Sequence, residues 1–155
     1  MIANHEVGLA VPGDATGISL LSRNVIEQGL SWSWTPRRVA NSIADRSTNV
    51  AVVRHEHRLA GFAIMKYAES EAHILLLAVH PDQRRKGVGL ALLAWLEATA
   101  RVAGIDLIRL EVRAGNAGAI AFYRQSGFRE MHQRKRYYQG IEDALCMAKD
   151  LWLPS

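Results

Sequence analysis

Cysteine is almost missing from this sequence, and that absence is its first constraint. A single thiol, Cys146, among 155 residues leaves no internal disulfide possible. It fits a reducing compartment, so a cytoplasmic location is expected. Long apolar runs are missing as well. Stretches such as residues 74–79 are far too short to cross a bilayer, and no membrane partner is expected. The opening residues Met1-Ile2-Ala3-Asn4-His5-Glu6 carry neither a positive n-region nor an apolar segment, so no signal peptide is expected. Prolines number four, and no repeat, low-complexity tract or linker breaks the chain. Residues 1–155 are therefore expected to form one domain. A hydrophobic content of 49% supplies its core, and 22% charged residues argue against disorder.

Negative charge is in deficit. Against 19 Lys and Arg stand 15 Asp and Glu, for a formal net charge of +4 and a pI near 9.6. Such a balance favours anions, among them nucleic acid, ribosomes and phosphorylated cofactors. The excess gathers at Arg84-Arg85-Lys86 and at Arg134-Lys135-Arg136. Neither cluster is interleaved with aromatics as an RNA-stacking platform is, so direct nucleic-acid binding is not expected as the main function.

What the sequence does have is a strong alternation of elements. A short strand over 6–11 ends at Pro12-Gly13, and Asp14 can cap a helix running through Leu20, Leu21, Val25 and Ile26 toward Gly29. Thr35-Pro36 is a helix start, a capping hydroxyl followed by proline at the first helical position. Strands are predicted at 49–54, 58–67, 71–79, 107–112, 129–137 and 144–151, and helices at 89–103 and 117–125. This order predicts an α/β sandwich with a mixed sheet.

Two segments carry chemistry. In Val79-His80-Pro81-Asp82-Gln83-Arg84-Arg85-Lys86-Gly87-Val88-Gly89-Leu90 a buried strand runs through a basic glycine loop into a helix. A helix start leaves backbone N–H groups unpaired and partly positive, and glycines let a bulky anion approach them, so the geometry suits a pyrophosphate. No Gly-Lys-Ser/Thr closes the loop, and the glycine spacing is not the dinucleotide fingerprint. Alone, the loop also fits a βα turn with solvated cations. The second segment is Leu110-Glu111-Val112-Arg113-Ala114-Gly115-Asn116, followed by Ala119, Phe122-Tyr123 and Gly127-Phe128.

Together the segments resemble the acetyl-CoA-binding core of the GNAT N-acetyltransferases. Arg84-x-x-Gly87-x-Gly89 is similar to that family's pyrophosphate motif, and Asn116-x-x-Ala119-x-x-Phe122-Tyr123-x-x-x-Gly127-Phe128 to its second motif. With Leu110-Glu111-Val112-Arg113, Tyr137-Tyr138 and Glu142-Asp143-Ala144, the chain resembles the RimI type, bacterial ribosomal-protein alanine N-acetyltransferases. The match spans about residues 59–149. The resemblance implies a GNAT fold: a mixed, mostly antiparallel sheet of six to seven strands flanked by about four helices, splayed in a V between central strands. It implies acetyl-CoA as co-substrate, with the pyrophosphate on Arg84, Arg85, Lys86, Gly87, Val88, Gly89 and Leu90. The pantetheine arm then lies along the backbone of Leu77, Ala78 and Val79 and against Asn116.

Amine acetylation needs a proton for the departing thiolate and a neutral amine, the latter demanding because an α-amine titrates at about 7.7–8.0 and a lysine at about 10.4. Strand alternation aims Glu111 away from Ile108, Leu110 and Val112, either into a polar cleft or onto a solvated Arg-Glu-Arg face. The resemblance makes it the general base, through water. Tyr123 keeps its proton at neutral pH, and the resemblance makes it the acid toward the coenzyme A sulfur and a cofactor contact. Beside it, Phe122 and Ala119 form the apolar stripe expected to face the core. Asn116 also suits an N-cap. Tyr137 and Tyr138 begin a hairpin that the resemblance places at the acceptor slot, or they cover the core as strand-end aromatics. The turn after them, Gln139-Gly140-Ile141, is shorter than the family pattern. Trp34 is expected as an anchor or as a substrate rim, and Trp32 is open to the same two readings. His55 and His57 flank Glu56 in a predicted turn without a third ligand, and no metal is expected. Cys146 reads as a small core residue.

The resulting expectation is direct transfer of acetyl to a primary amine, a protein N-terminus above all and ribosomal in kind. A small amine such as a polyamine or amino sugar, or a non-catalytic acyl-CoA-binding module, are the alternatives. Either a monomer or a homodimer is compatible with the sequence.

Overall fold

The computed structural model describes residues 5–152; Met1 to Asn4, part of the segment read for a signal, lie outside the described residues. Strands β1 (Val7–Leu9), β2 (Thr48–His55), β3 (Arg58–Tyr67), β4 (Glu71–Val79), β5 (Leu107–Arg113), β6 (Arg129–Tyr138) and β7 (Glu142–Asp150) form one sheet in the order β1-β2-β3-β4-β5-β7-β6. Every neighbouring pair is antiparallel except β4 and β5. That parallel pair needs a crossover, and α3 (Val88–Val102) supplies it. On one face, Leu92, Leu93 and Leu96 of α3 and Tyr123 of α4 (Ala117–Gln125) pack on Ala63, Met65 and Ile108. On the other, Ile18 and Leu21 of α1 (Ala15–Val25) and Val39 of α2 (Pro36–Ala44) pack on Val50, Val52, Phe62 and Ile64. The architecture is the expected one, with seven strands and four α-helices among the described residues.

The functional feature of this sheet is where it opens. β4 pairs with β5 only from Glu71↔Leu107 to Ile74↔Leu110. Beyond Ile74 the strands part, while β5 stays with β7 as far as Arg113↔Ala144. A β-bulge marks the point: Ile64 faces Leu76 and Met65 faces Ile74, so Leu75 is the extra residue. Below it Ala72 and Ile74 belong to the α3 side of the core, and above it Leu76 and Ala78 belong to the α1 side. One inserted residue turns the strand over and frees its edge from β5.

Gly61 brings α3 onto this edge. A Cβ there would stand 2.8 Å from Val88 Cγ1 and 2.9 Å from the Ala78 carbonyl oxygen, so only glycine lets the first turn of α3 settle against β3 and β4.

Several boundaries differ from the sequence reading. The first strand is limited to Val7–Leu9, and a 3₁₀ turn at Pro12–Asp14 precedes α1. Asp14 sits at the N-cap position but does not cap α1. Its carboxylate reaches back to the Val11 N–H at 2.8 Å and pairs with Arg54 at 2.6 Å. α1 stops at Val25, short of Gly29, and Glu27 beyond it is buried and accepts from the Ser33 N–H. α3 starts one residue early, at Val88, with Gly87 as its left-handed N-cap at φ 85°. His57 lies in the hairpin turn itself, where Glu56 and His57 take φ of 51° and 68°. No group of three or more His, Cys, Asp or Glu side chains gathers in a metal-binding arrangement among the described residues.

Candidate active site

Between the α1–α2 loop, the parting strands and the β6–β7 hairpin lies a cavity of about 910 Å³. Glu111 projects into it. The β5 alternation buries Ile108, Leu110 and Val112 on the other face, as expected, but Glu111 is not on a solvated stripe: its side chain is 5% exposed. One carboxylate oxygen, Oε2, lies 2.8 Å from His73 Nε2, and Oε1 accepts from the Tyr137 hydroxyl at 3.0 Å. Arg109 stands 3.6 Å away and is itself tied to Glu71 at 2.7 Å. Burial pushes the Glu111 carboxyl up, but the hydrogen bond and charge of His73, the Tyr137 hydroxyl and Arg109 outweigh it. The net position is below the ordinary carboxylate value.

Tyr123 lines the same cavity from α4 and is 7% exposed. Burial raises its phenol, so the proton stays on at any physiological pH. Here the expected packing is reversed. Tyr123 is the deep residue, edge-on to Phe128 with ring centroids 5.6 Å apart, whereas Phe122 is only partly buried. Phe122 instead covers Gly89, whose added Cβ would meet the Phe122 ring at 3.3 Å. The two neighbours thus divide the work: one ring seats the glycine loop and the other faces the cavity.

Asn116 caps α4, accepting from the Ala119 N–H at 3.1 Å, and also lines the cavity. Trp34, 8% exposed, is both anchor and wall: it belongs to the α1-side core while lining the cavity. Tyr137 and Tyr138 line it from the hairpin, with rings 5.0 Å apart and edge-on. Burial raises the Tyr138 phenol strongly. Of the pantetheine-strand residues, Leu77 lines the cavity. Ala78 and Val79 and the whole segment from Arg84 to Leu90 lie outside its wall, further along the free edge of β4.

That segment fits a diphosphate by its own geometry. After a 3₁₀ turn at Pro81–Gln83, Arg85 and Gly87 take φ of 62° and 85°, and α3 begins. Its first-turn N–H groups have no partner within the helix. Arg84, Arg85 and Lys86 are exposed, Val88 is buried as the anchor, and Leu90 is 50% exposed. Beside the loop, the β4 edge beyond Ile74 offers unpaired backbone amides to an amide-bearing arm.

Four residues at the cavity escaped the sequence reading. His73 carried a signal: with Glu71 it forms the polar half of the β4 alternation, in register with Arg109. Glu27 accepts from the Ser33 N–H at 2.8 Å, its hydroxyl at 2.9 Å and the Trp34 N–H at 3.2 Å, which shapes the α1–α2 loop. Gln139 closes the mouth. Its amide accepts from the Ser31 N–H and donates to the Ser31 carbonyl, both at 2.8 Å. Arg38 lies over the Trp34 ring, 3.7 Å from its centroid. Nothing in local pattern marks these last three.

A sheet that parts between two parallel strands, with a glycine-rich helix start beside one end of the gap and a buried carboxylate in it, defines an acyl-coenzyme A-dependent transferase. The family model of the GNAT acetyltransferases matches residues 22–128. The Escherichia coli (strain K12) ribosomal protein bS18-alanine N-acetyltransferase is 35% identical over 128 residues, 81% of this chain and 86% of that relative. The crystal structure of the ribosomal-protein-S18-alanine N-acetyltransferase from Escherichia coli superposes with a TM-score of 0.83 at 28% identity, covering 98% of this chain and 97% of that one. Ard1 from Thermoplasma volcanium superposes with a TM-score of 0.84 at 26% identity, covering 96% and 98%. This chain belongs to the GNAT family and is an acetyl-CoA-dependent N-acetyltransferase of RimI-like type.

Proposed function

We propose that this enzyme acts as a single domain in the cytoplasm and acetylates the α-amino group of a protein N-terminus, with a ribosomal protein as the kind of acceptor. The observation that carries the reading is the Glu111 carboxylate, nearly buried in the cavity and held below its ordinary range. A carboxylate held low is a weak base toward a free ammonium. It suits an amine that arrives largely neutral and sheds its proton as it bonds to carbon. At pH 7 roughly a tenth of α-amino groups are neutral, against a few in ten thousand lysines. The abundance of neutral amine alone therefore favours a chain terminus over a lysine side chain by about two orders of magnitude.

In this reading the amine nitrogen bonds to the thioester carbonyl carbon and the carbon–sulfur bond breaks. Glu111 takes the amine proton, directly or through a water, and Tyr123 gives its own to the thiolate. The chemistry uses no metal and no covalent enzyme intermediate. Cys146, opposite Glu111 across β5 and β7, is buried, and its thiol is raised by burial and then by the Glu111 charge, which disfavours a thiolate nucleophile.

A small amine is the second reading, favoured by the short turn at 139–141 and the Gln139 latch, which narrow the mouth. Release of thiol from acetyl-CoA separates the two. Peptides with a free α-amine are expected to turn over, and the same peptides blocked at the terminus but carrying lysine are not. Turnover confined to polyamines or amino sugars overturns the protein-terminus reading.

A further inference from the structure

The backbone N–H groups from Arg85 through Leu90 have no acceptor among the described residues. One carbonyl in this run is tethered from far away. The His5 imidazole lies with Nε2 2.6 Å from the Lys86 carbonyl oxygen, across 81 positions of sequence. A carbonyl only accepts, so the ring nitrogen facing it carries the proton and donates. We propose that His5 is a positioning residue for the cofactor loop: it fixes the Lys86–Gly87 peptide so that this peptide's N–H joins the amides that close on the diphosphate of coenzyme A. The proposal rests on the reading of residues 84–90 as the diphosphate site.

A trans peptide is planar, and its C=O and N–H point in opposite directions. Holding the Lys86 carbonyl toward His5 therefore turns the Gly87 N–H away from His5. The loop's own chain does not make that choice. Lys86 is followed by a glycine at φ 85°, and glycine tolerates the peptide before it in either direction. Turned over, the same unit would aim a carbonyl oxygen at the anion instead of an N–H. The exposed side chains of Arg84, Arg85 and Lys86 bring positive charge to the loop, but long flexible cations do not set the direction of a backbone dipole.

Both ends of the hydrogen bond are anchored. Val7, two residues after His5, pairs with Val53 across β1 and β2 and packs on the α3-side core. Val88, two residues after Lys86, is buried in that same core. The short edge strand β1 thereby sets where His5 stands relative to the start of α3. The loop is held from its other end by Phe122, whose ring lies over Gly89. Arg85 takes a left-handed φ of 62° without being glycine, a costly conformation that persists only where the surroundings fix it. His5 is a contact that can do so at the next residue along.

Two substitutions separate the donor from the ring. His5→Phe keeps the bulk and removes the N–H, whereas His5→Gln offers an amide N–H in place of Nε2. His5→Phe is expected to raise the Kd for coenzyme A about fivefold, the effect of one neutral hydrogen bond, and His5→Gln to restore it. Acetyl-pantetheine, a thioester without a diphosphate, distinguishes loop geometry from a general effect on the fold. Its kcat/KM, measured with an acceptor amine that turns over, is expected to be unmoved in His5→Phe while that for acetyl-CoA falls. Coenzyme A affinity equal to the parent's in His5→Phe overturns the proposal alone, and so does an equal loss on both thioesters. If the unaltered enzyme uses acetyl-pantetheine as efficiently as acetyl-CoA, the diphosphate reading of the loop fails and the proposal with it.

Discussion

On the reading proposed above, Glu111 is the residue on which the chemistry turns, and its neighbours set the pH at which it can act. Below the amine's own titration kcat/KM falls with unit slope, because only neutral amine attacks. The slope steepens to two once Glu111 also takes up a proton. Since His73 and Tyr137 hold that carboxyl low, the second break lies below the ordinary carboxylate value. His73→Phe and Tyr137→Phe each keep the site filled while removing one hydrogen bond, so each is expected to move the break to higher pH. Glu111→Gln is expected to lower the rate and leave unit slope throughout. A profile that is superimposable in all three variants removes Glu111 from the role of base. The same depression has a stability consequence of fixed sign. A carboxyl lower in the folded than in the unfolded chain stabilises the fold above its unfolded value, and the contribution is lost as pH falls through the folded one. Acid unfolding of Glu111→Gln is therefore expected to be less steep than that of the parent.

Elements, unlike single residues, were largely written in local pattern, and the exceptions show what pattern cannot carry. The helix starts at Thr35 and Asn116 follow from capping chemistry that acts within three residues, and both side chains cap as expected. The glycine loop was legible because Gly87 is needed for one left-handed position. The bulge at Leu75 was not, since an unbroken apolar run hides which residue is the extra one. Tyr123 and Phe122 exchanged their expected depths with Phe122 lying over Gly89 in the first turn of α3, a contact that arises only when α3 and α4 meet. The Gln139 latch is of the same kind: it joins residues 108 positions apart. It ties the hairpin to the α1–α2 loop, so on the proposed reading its worth is preorganisation of the acceptor slot. Gln139→Ala is expected to raise peptide KM several-fold, with kcat at saturation and coenzyme A affinity little changed. Gln139→Glu is expected to do no better, because a carboxylate accepts from the Ser31 N–H but repels the Ser31 carbonyl. Unchanged KM in both variants means the slot forms without the latch.

At the scale of the whole molecule, two halves of a sheet are joined by few residues. Four β4–β5 pairs, from Glu71↔Leu107 to Ile74↔Leu110, connect β1 to β4 with β5 to β7 before the strands diverge. A ligand filling the gap binds only when both halves are in place, so its binding energy becomes folding energy. At a hundred times its Kd, coenzyme A is expected to add about 2.7 kcal/mol, which for a chain of this size raises Tm by roughly 5–10 °C. The shift also isolates the anion site from the fold. Gly87→Val forces a β-branched side chain into a left-handed position at the start of α3, and its own Tm is expected to fall. The decisive quantity is the difference between its Tm with and without coenzyme A. That difference is expected to be nearly abolished at the concentration that saturates the parent, because the crowded amides no longer close around the diphosphate. If the variant melts lower yet gains the full 5–10 °C, roughly the parent's shift, the loop serves the fold and the diphosphate is held elsewhere.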